Sequence, residues 1–139
     1  MRWVTWEEVG IDRMACAWLI LKYIDLQAAF EFVPVGAKPL PGGAEAFDIP
    51  GARLSHRRGH STFHTLLREY RLKDPVLGRI ARLIDEVDEA QEVNLEPGAY
   101  GVDLVCRGIR LTSPDDLTAL EKSRMIFEAL YAQLKEEQA

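Results

Sequence analysis

A hydrophobic segment close to the N-terminus constrains the fold more than any other part of the chain. Between residues 11 and 24, apolar side chains recur at intervals of three and four, and additional apolar residues widen this stripe. The pattern predicts a helix that is hydrophobic on most sides, and such a helix must be enclosed by the rest of the protein. With 139 residues, of which 47% are hydrophobic, the chain can build one core around it. We therefore predict a single domain over residues 1–139.

Short strands precede and follow this helix, and further helices fill the second half of the chain. Residues 2–6 and 29–35 are rich in aromatic and β-branched side chains, which favours strands. Ser61, the pair Asp74-Pro75 and the segment from Ser113 to Asp116 are typical helix starts, and residues 97–109 form another helical pattern. The predicted fold class is α+β, with a small sheet of short N-terminal strands packed against about five helices.

Composition excludes several classes of partner. The net charge of −5 argues against a general electrostatic attraction to nucleic acid or to anionic membranes. The longest apolar run, residues 14–21, is much shorter than the ~20 residues that cross a bilayer. Acidic residues come early and no secretory signal is evident, so we expect a cytoplasmic protein. Homo-oligomerisation is left open. Two cysteines, Cys16 and Cys106, are too few for a disulfide framework.

The buried helix carries an unexpected polar cluster made of Asp12, Arg13 and Cys16. At helical spacing, Asp12 and Cys16 are neighbours on one face. A simpler interpretation is that Asp12 complements the helix dipole while Arg13 pairs with a nearby glutamate. That interpretation does not explain why these polar residues cluster on a helix so apolar, and a polar cluster at the mouth of a core helix is a candidate site.

A second acid and an imidazole, Asp48 and His56, flank a Pro50-Gly51 turn. If both flanking segments are strands of one hairpin, the two side chains can face the same side. Together with Asp12 and Cys16 they would form a metal site for zinc, iron or manganese, and a thiolate ligand would favour zinc. The alternative is that Asp48 caps the turn and the ring of His56 binds backbone.

Residues 56–60 also concentrate positive charge ahead of a predicted helix. Arg57, Arg58 and His60, together with Arg13, are candidate contacts for an oxyanion such as sulfate, phosphate or chromate, because guanidinium groups match such anions and helix N-termini attract them. A solvated basic loop is the alternative. No glycine-rich phosphate loop, nucleophile elbow or His-Glu-x-x-His pattern occurs, so we expect no nucleotide or flavin cofactor.

Several separated blocks of the sequence resemble the C-terminal domain family of ChrB chromate resistance proteins. The blocks are Trp3-Val4-Thr5, Asp12-Arg13, Ala15-Cys16, Trp18-Leu19-Ile20, Phe32-Val33-Pro34, Phe47-Asp48-Ile49-Pro50-Gly51, Ser55-His56, Thr62-Phe63, Asp115-Asp116, Glu121 and Ala129-Leu130-Tyr131-Ala132. The resemblance implies a role in the response to chromate, in a family whose full-length members resemble cytosolic regulators of a chromate efflux operon. The region expected to contact DNA is absent here, so we expect no direct nucleic-acid partner. Ser61 stands where the family pattern often has cysteine, which argues against a mechanism with two thiols.

The leading hypothesis is a small binding domain related to chromate resistance that holds a metal ion or an oxyanion. The rival hypothesis is an enzyme, either an oxyanion reductase that uses the Cys16 thiol or a metal-dependent hydrolase. A third hypothesis is a structural partner domain whose helices pack on another subunit.

Overall fold

A computed structural model describes residues 1–88 and 95–138, and its elements confirm the predicted α+β class. Strands β1, β2 and β3 and helices α1 to α5 appear in the following order: β1 Arg2–Trp6, α1 Ile11–Leu19, β2 Ala29–Val33, β3 Ala44–Ala46, α2 Thr62–Glu69, α3 Pro75–Asp88, α4 Ala99–Thr112 and α5 Asp116–Gln138. A π-helical turn, Ile20–Ile24, extends α1. Among the described residues, no helix is long and apolar enough to cross a membrane.

The sheet has three parallel strands with β1 in the centre. Val4 lies opposite Glu31 on β2 and Ala46 on β3. Parallel neighbours need a crossover connection, and α1 provides it between β1 and β2. The sheet therefore places the start of α1 beside the carboxyl end of the central strand, which is where ligands commonly bind in parallel sheets.

The segment after β3 does not form the hairpin on which the pairing of Asp48 with His56 was predicted. Phe47 instead bridges Leu54 in the parallel sense, and the Asp48 amide donates to the Leu54 carbonyl at 2.8 Å. The reason is the backbone conformation around the turn. Asp48 has φ +54° and Gly51 has φ +88°, so the chain coils at both positions rather than folding back along itself.

Helix α1 is the centre of the core, as its apolar pattern predicts. Eight of its nine residues are buried, Asp12 and Cys16 included. The helix packs between α2 and α5, and the ring of Trp18 lies 6.0 Å from the ring of Phe127 on α5. This enclosure leaves the polar end of α1 in contact with the segments that follow β3 and precede α2.

Two of the three predicted helix starts have the predicted cap, whereas at the start of α5 Asp115, and not Ser113, accepts from the Thr118 amide, at 2.8 Å. The Ser61 hydroxyl accepts from the His64 amide at 3.3 Å, and the Asp74 carboxylate accepts from the Val76 amide at 2.9 Å. The helical pattern over 97–109 corresponds to α4. Of the acidic run at 85–92, residues 85–88 belong to α3 and residues 89–92 lie outside the described part of the chain.

Candidate metal centre

Three carboxylates converge on one nitrogen of His56. The imidazole Nε2 lies 3.0 Å from Oδ2 of Asp12, 3.1 Å from Oδ1 of Asp48 and 3.0 Å from Oδ2 of Asp88. These four side chains come from the start of α1, the loop after β3, the loop before α2 and the end of α3. Donor atoms of Asp12, Asp48 and His56 all lie within 4.8 Å of one another, which makes the cluster able to hold a metal ion.

Asp12 is held rigidly because it binds the N-terminus of α2. Its Oδ2 accepts from the Thr62 amide at 2.9 Å and its Oδ1 accepts from the Phe63 amide at 3.0 Å. These are backbone donors that a helix cannot satisfy internally. Burial raises the pKa of Asp12, and the Asp48 charge adds to that rise, while His56 and the two amides oppose it. The two amides therefore fix the position of the Asp12 carboxylate, but they do not neutralise its charge.

Asp48 is positioned by Arg13 and Thr62. The Thr62 hydroxyl donates to Oδ1 of Asp48 at 2.6 Å, and Nη2 of Arg13 donates to the Asp48 carbonyl at 2.8 Å. Nε of Arg13 lies 3.0 Å from Oδ2 of Asp48 as an ion pair, without the alignment of a hydrogen bond. The guanidinium also lies over the ring of Trp6, 5.8 Å from its centroid. Arg13 thus supports a carboxylate of the cluster.

His56 is surrounded by more negative charge than one proton can satisfy. Hydrogen bonds to Asp12 and then Asp48 raise its pKa to about 11, although partial burial acts in the opposite direction. A protonated Nε2 has a single hydrogen, and one hydrogen cannot be donated well to three oxygens. In an octahedral shell with metal–ligand distances of about 2.1 Å, neighbouring ligand atoms lie about 3.0 Å apart. The separations of Nε2 from the Asp12 and Asp48 oxygens match that spacing.

The cluster opens into a cavity of about 560 Å³. Its wall includes the four cluster side chains together with apolar groups from Trp6, Ile11, Ile49 and Pro50. A polar centre at the base of a partly apolar cavity is the usual form of a small-molecule or metal site. An ion bound there would keep one side accessible to water or to a ligand.

Cys16 lies beside the cluster as a buried thiol. Its Sγ donates to Oδ1 of Asp12 at 3.5 Å, and the residue has no exposed surface. Burial, followed by the Asp12 charge, raises the pKa of Cys16 well above its usual range, so the sulfur is protonated at neutral pH. Within the described part of the chain, the metal-capable group contains Asp12, Asp48 and His56, without Cys16 and without Asp88. Its role as a ligand stays a prediction.

The four residues predicted to contact an anion lie in two regions. Arg13 binds Asp48, whereas Arg57 and Arg58 line a different cavity of about 370 Å³. The Nδ1 atom of His60 is 2.7 Å from Oδ2 of Asp85 on α3, and its ring stacks on His64, which lines the same cavity as Arg57 and Arg58. The structure therefore places Arg13 apart from the other three residues of the predicted set.

Asp88 and Thr62 are site residues that sequence reasoning missed. Asp88 is the last residue of α3 and is not among the ligands predicted from the sequence. The spacing of Asp88 from Asp85 is the sequence pattern that could have identified it. Residues three apart share a helix face, and both aspartates face the segment before α2. Asp85 accepts from the Ser61 amide at 2.8 Å, and Asp88 contacts His56. Thr62 was already among the blocks that carried the family resemblance.

Comparisons with known proteins agree with one another. The family model described as ChrB, C-terminal domain matches residues 3–134. Protein ChrB of Cupriavidus metallidurans is 31% identical over 131 residues, which cover 94% of this chain and 40% of that protein. The chain thus spans about two fifths of the length of that relative. No solved structure matches the chain.

Proposed function

The chain belongs to the ChrB C-terminal domain family, and on that premise we propose that it binds a divalent metal ion in a role related to chromate resistance. The ligands are Asp12, Asp48 and His56, and Asp88 lies against the His56 ring beside them. The observation that carries the proposal is the placement of three carboxylate oxygens within 3.0 to 3.1 Å of one imidazole nitrogen.

Charge balance supports an ion at this position. Three carboxylates around one imidazolium leave an excess of negative charge, even with Arg13 next to Asp48. A divalent ion bound to a neutral imidazole, together with Arg13, balances the three carboxylates. Clustered like charges that are removed from water are costly unless they are compensated, so this balance favours the ion-bound state.

The donor set limits the identity of the ion. Carboxylates suit manganese and imidazole suits iron and zinc, so a mixed set accommodates all three. A coordination sphere supplied only partly by the protein leaves a position for water or for an oxyanion such as chromate. The open cavity also favours a metal-dependent hydrolase as the second candidate function, because an ion in this position would activate a bound water. The protonated thiol of Cys16 argues against the reductase.

Elemental analysis and calorimetry test the proposal. Protein purified without a metal-affinity tag is analysed as isolated, then stripped with a chelator and titrated separately with Mn²⁺, Fe²⁺ and Zn²⁺. We expect one ion per chain, with binding abolished in His56→Ala and weakened in Asp88→Asn. His64→Ala is the matched control, because His64 lies outside the carboxylate cluster and the variant is expected to bind as the wild type does.

Two results would contradict the proposal. One is the absence of both a bound ion and any ion-dependent rise in melting temperature. The other is unchanged ion affinity in His56→Ala. The chromate-related role is tested separately by comparing growth of a chromate-sensitive bacterial strain that expresses the wild type or His56→Ala. Equal chromate tolerance of the two strains would contradict that role.

A further inference from the structure

A second cavity, here called the arginine cavity, lies along α2 and shares no lining residue with the carboxylate–histidine cavity. It measures about 370 Å³. Its lining residues are Arg57, Arg58, His64, Thr65, Arg68, Glu69 and Arg71. From this concentration of guanidinium groups we infer that the arginine cavity binds a phosphate group, either as the free ion or as a phosphomonoester.

The arginine cavity has a large excess of positive charge. Among the described residues that line it, Glu69 is the one acidic residue. Both of its oxygens are engaged, Oε1 by Arg57 at 2.8 Å and Oε2 by Arg53 at 3.4 Å. Within residues 1–88 and 95–138, no carboxylate forms an ion pair with the other three arginines of the cavity. These guanidinium groups repel one another, and an anion bound between them would relieve that repulsion.

Two of the arginines occupy backbone positions that favour other residues. Arg58 has φ +52° and Arg71 has φ +53°, which is the left-handed region where glycine is most easily accommodated. Arg58 comes before α2 and Arg71 follows it, so the two strained positions lie near opposite ends of the helix that forms the cavity wall. Strained conformations of this kind concentrate at binding sites. Here they direct arginine side chains to one cavity.

The remaining lining groups fit a phosphate better than a monovalent anion. Guanidinium groups form paired hydrogen bonds with the oxygens of a doubly charged tetrahedral anion, and three of them are available here. The ring of His64 stacks on His60 with centroids 4.0 Å apart, which holds it at the cavity wall. Burial, followed by the charge of His60, lowers the pKa of His64, so its neutral ring can donate one N–H. The volume also lies within the usual range of small-molecule sites, about 300 to 1,000 Å³, which leaves space for the body of an ester.

Calorimetric titration with inorganic phosphate and with glycerol 3-phosphate, at constant ionic strength, tests this inference. We expect saturable binding with one site per chain. Arg68→Gln and Arg71→Gln should each weaken binding about tenfold. Arg68→Lys should retain part of the affinity, because lysine keeps the charge but lacks the paired N–H donors of a guanidinium group. Arg82→Gln is the matched control, because Arg82 is an exposed arginine on α3 outside the cavity. Circular dichroism melting verifies that each variant is folded.

The two ligands distinguish the source of the phosphate group. Tighter binding of glycerol 3-phosphate supports an ester as the ligand, and equal affinity supports recognition of the phosphate group alone. The inference is overturned if neither ligand saturates, or if Arg82→Gln weakens binding as much as Arg68→Gln does. It is also overturned if Asp48→Asn abolishes phosphate binding, because the anion would then occupy the carboxylate–histidine centre. Because neither Asp48 nor His56 lines the arginine cavity, failure of the metal proposal does not by itself decide this result.

Discussion

Metal binding to the carboxylate–histidine centre should release close to one proton per ion at pH 7. The neighbouring carboxylates raise the pKa of His56 to about 11, so its imidazole is protonated in the metal-free protein. A metal ion binds the neutral ring, and the proton on Nε2 must leave before that nitrogen can coordinate. The pKa of Asp12 is raised as well, mainly by burial, and any proton on that carboxyl group adds to the release.

The number of protons released depends on the difference between the His56 pKa and the pH of the experiment. A group whose pKa is one unit above the pH is about nine tenths protonated, so a release near one proton requires only that the His56 pKa exceeds about 8. The side chain of His56 is 40% exposed, so water partly screens the carboxylates, and a pKa of about 11 lies about three units above this threshold. Because protons compete with the ion below the raised pKa, apparent affinity should increase about tenfold per pH unit from about pH 7 upward.

Calorimetry in buffers of different ionisation enthalpy measures the number of protons released. Titrations of Zn²⁺ and Mn²⁺ at pH 7 should give a slope close to one proton per bound ion, and repeating them at a higher pH should give tighter binding. In His64→Ala the slope should be unchanged. Tight binding without proton release, or a pH-independent affinity, would refute the reasoning that the ion replaces the proton on His56.

Two further predictions concern groups outside the metal ligands. Both cysteine thiols should resist iodoacetamide at pH 8 in the folded protein and react in urea. The reason is that burial raises the pKa of Cys106 to about 12 and the pKa of Cys16 well above its usual range. Mass spectrometry counts the labelled sites, and rapid labelling of Cys16 in the folded protein would contradict the expectation. The Lys22 ammonium and then Trp18 hold the pKa of Glu128 below its ordinary value of 4.5. The ionised Glu128 carboxylate therefore stabilises the folded protein above that pH, and this contribution is lost as the pH falls through the lowered pKa. The melting temperature of Glu128→Gln should consequently fall less steeply than that of the wild type on acidification below about pH 4.5, and parallel profiles would contradict this.

Much of the fold could be predicted because its signals are local. The apolar periodicity between residues 11 and 24 predicted the buried helix, and Ser61 and the Asp74-Pro75 pair predicted where α2 and α3 begin. A cap acts on amides two or three residues away, and helical periodicity is visible within a few turns. These features depend little on the rest of the chain, so a single sequence carries them.

The candidate site was only partly predictable because its geometry depends on contacts between distant segments. Asp12, Asp48 and His56 were selected by residue type, but the hairpin expected to join the last two is absent. Asp88 contacts His56 because α3 packs against α2, and no local pattern encodes that packing. The same limitation applies to the predicted anion contacts.

Residue chemistry and local periodicity thus established the α+β class, the central helix and the identity of three clustered side chains. Packing alone placed Asp88 against His56, separated Arg13 from Arg57 and Arg58, and closed Cys16 off from solvent. The physical reason is the range of the forces involved. Backbone propensity and capping act over one or two turns, whereas the convergence of four charged groups requires the whole core to hold four segments together.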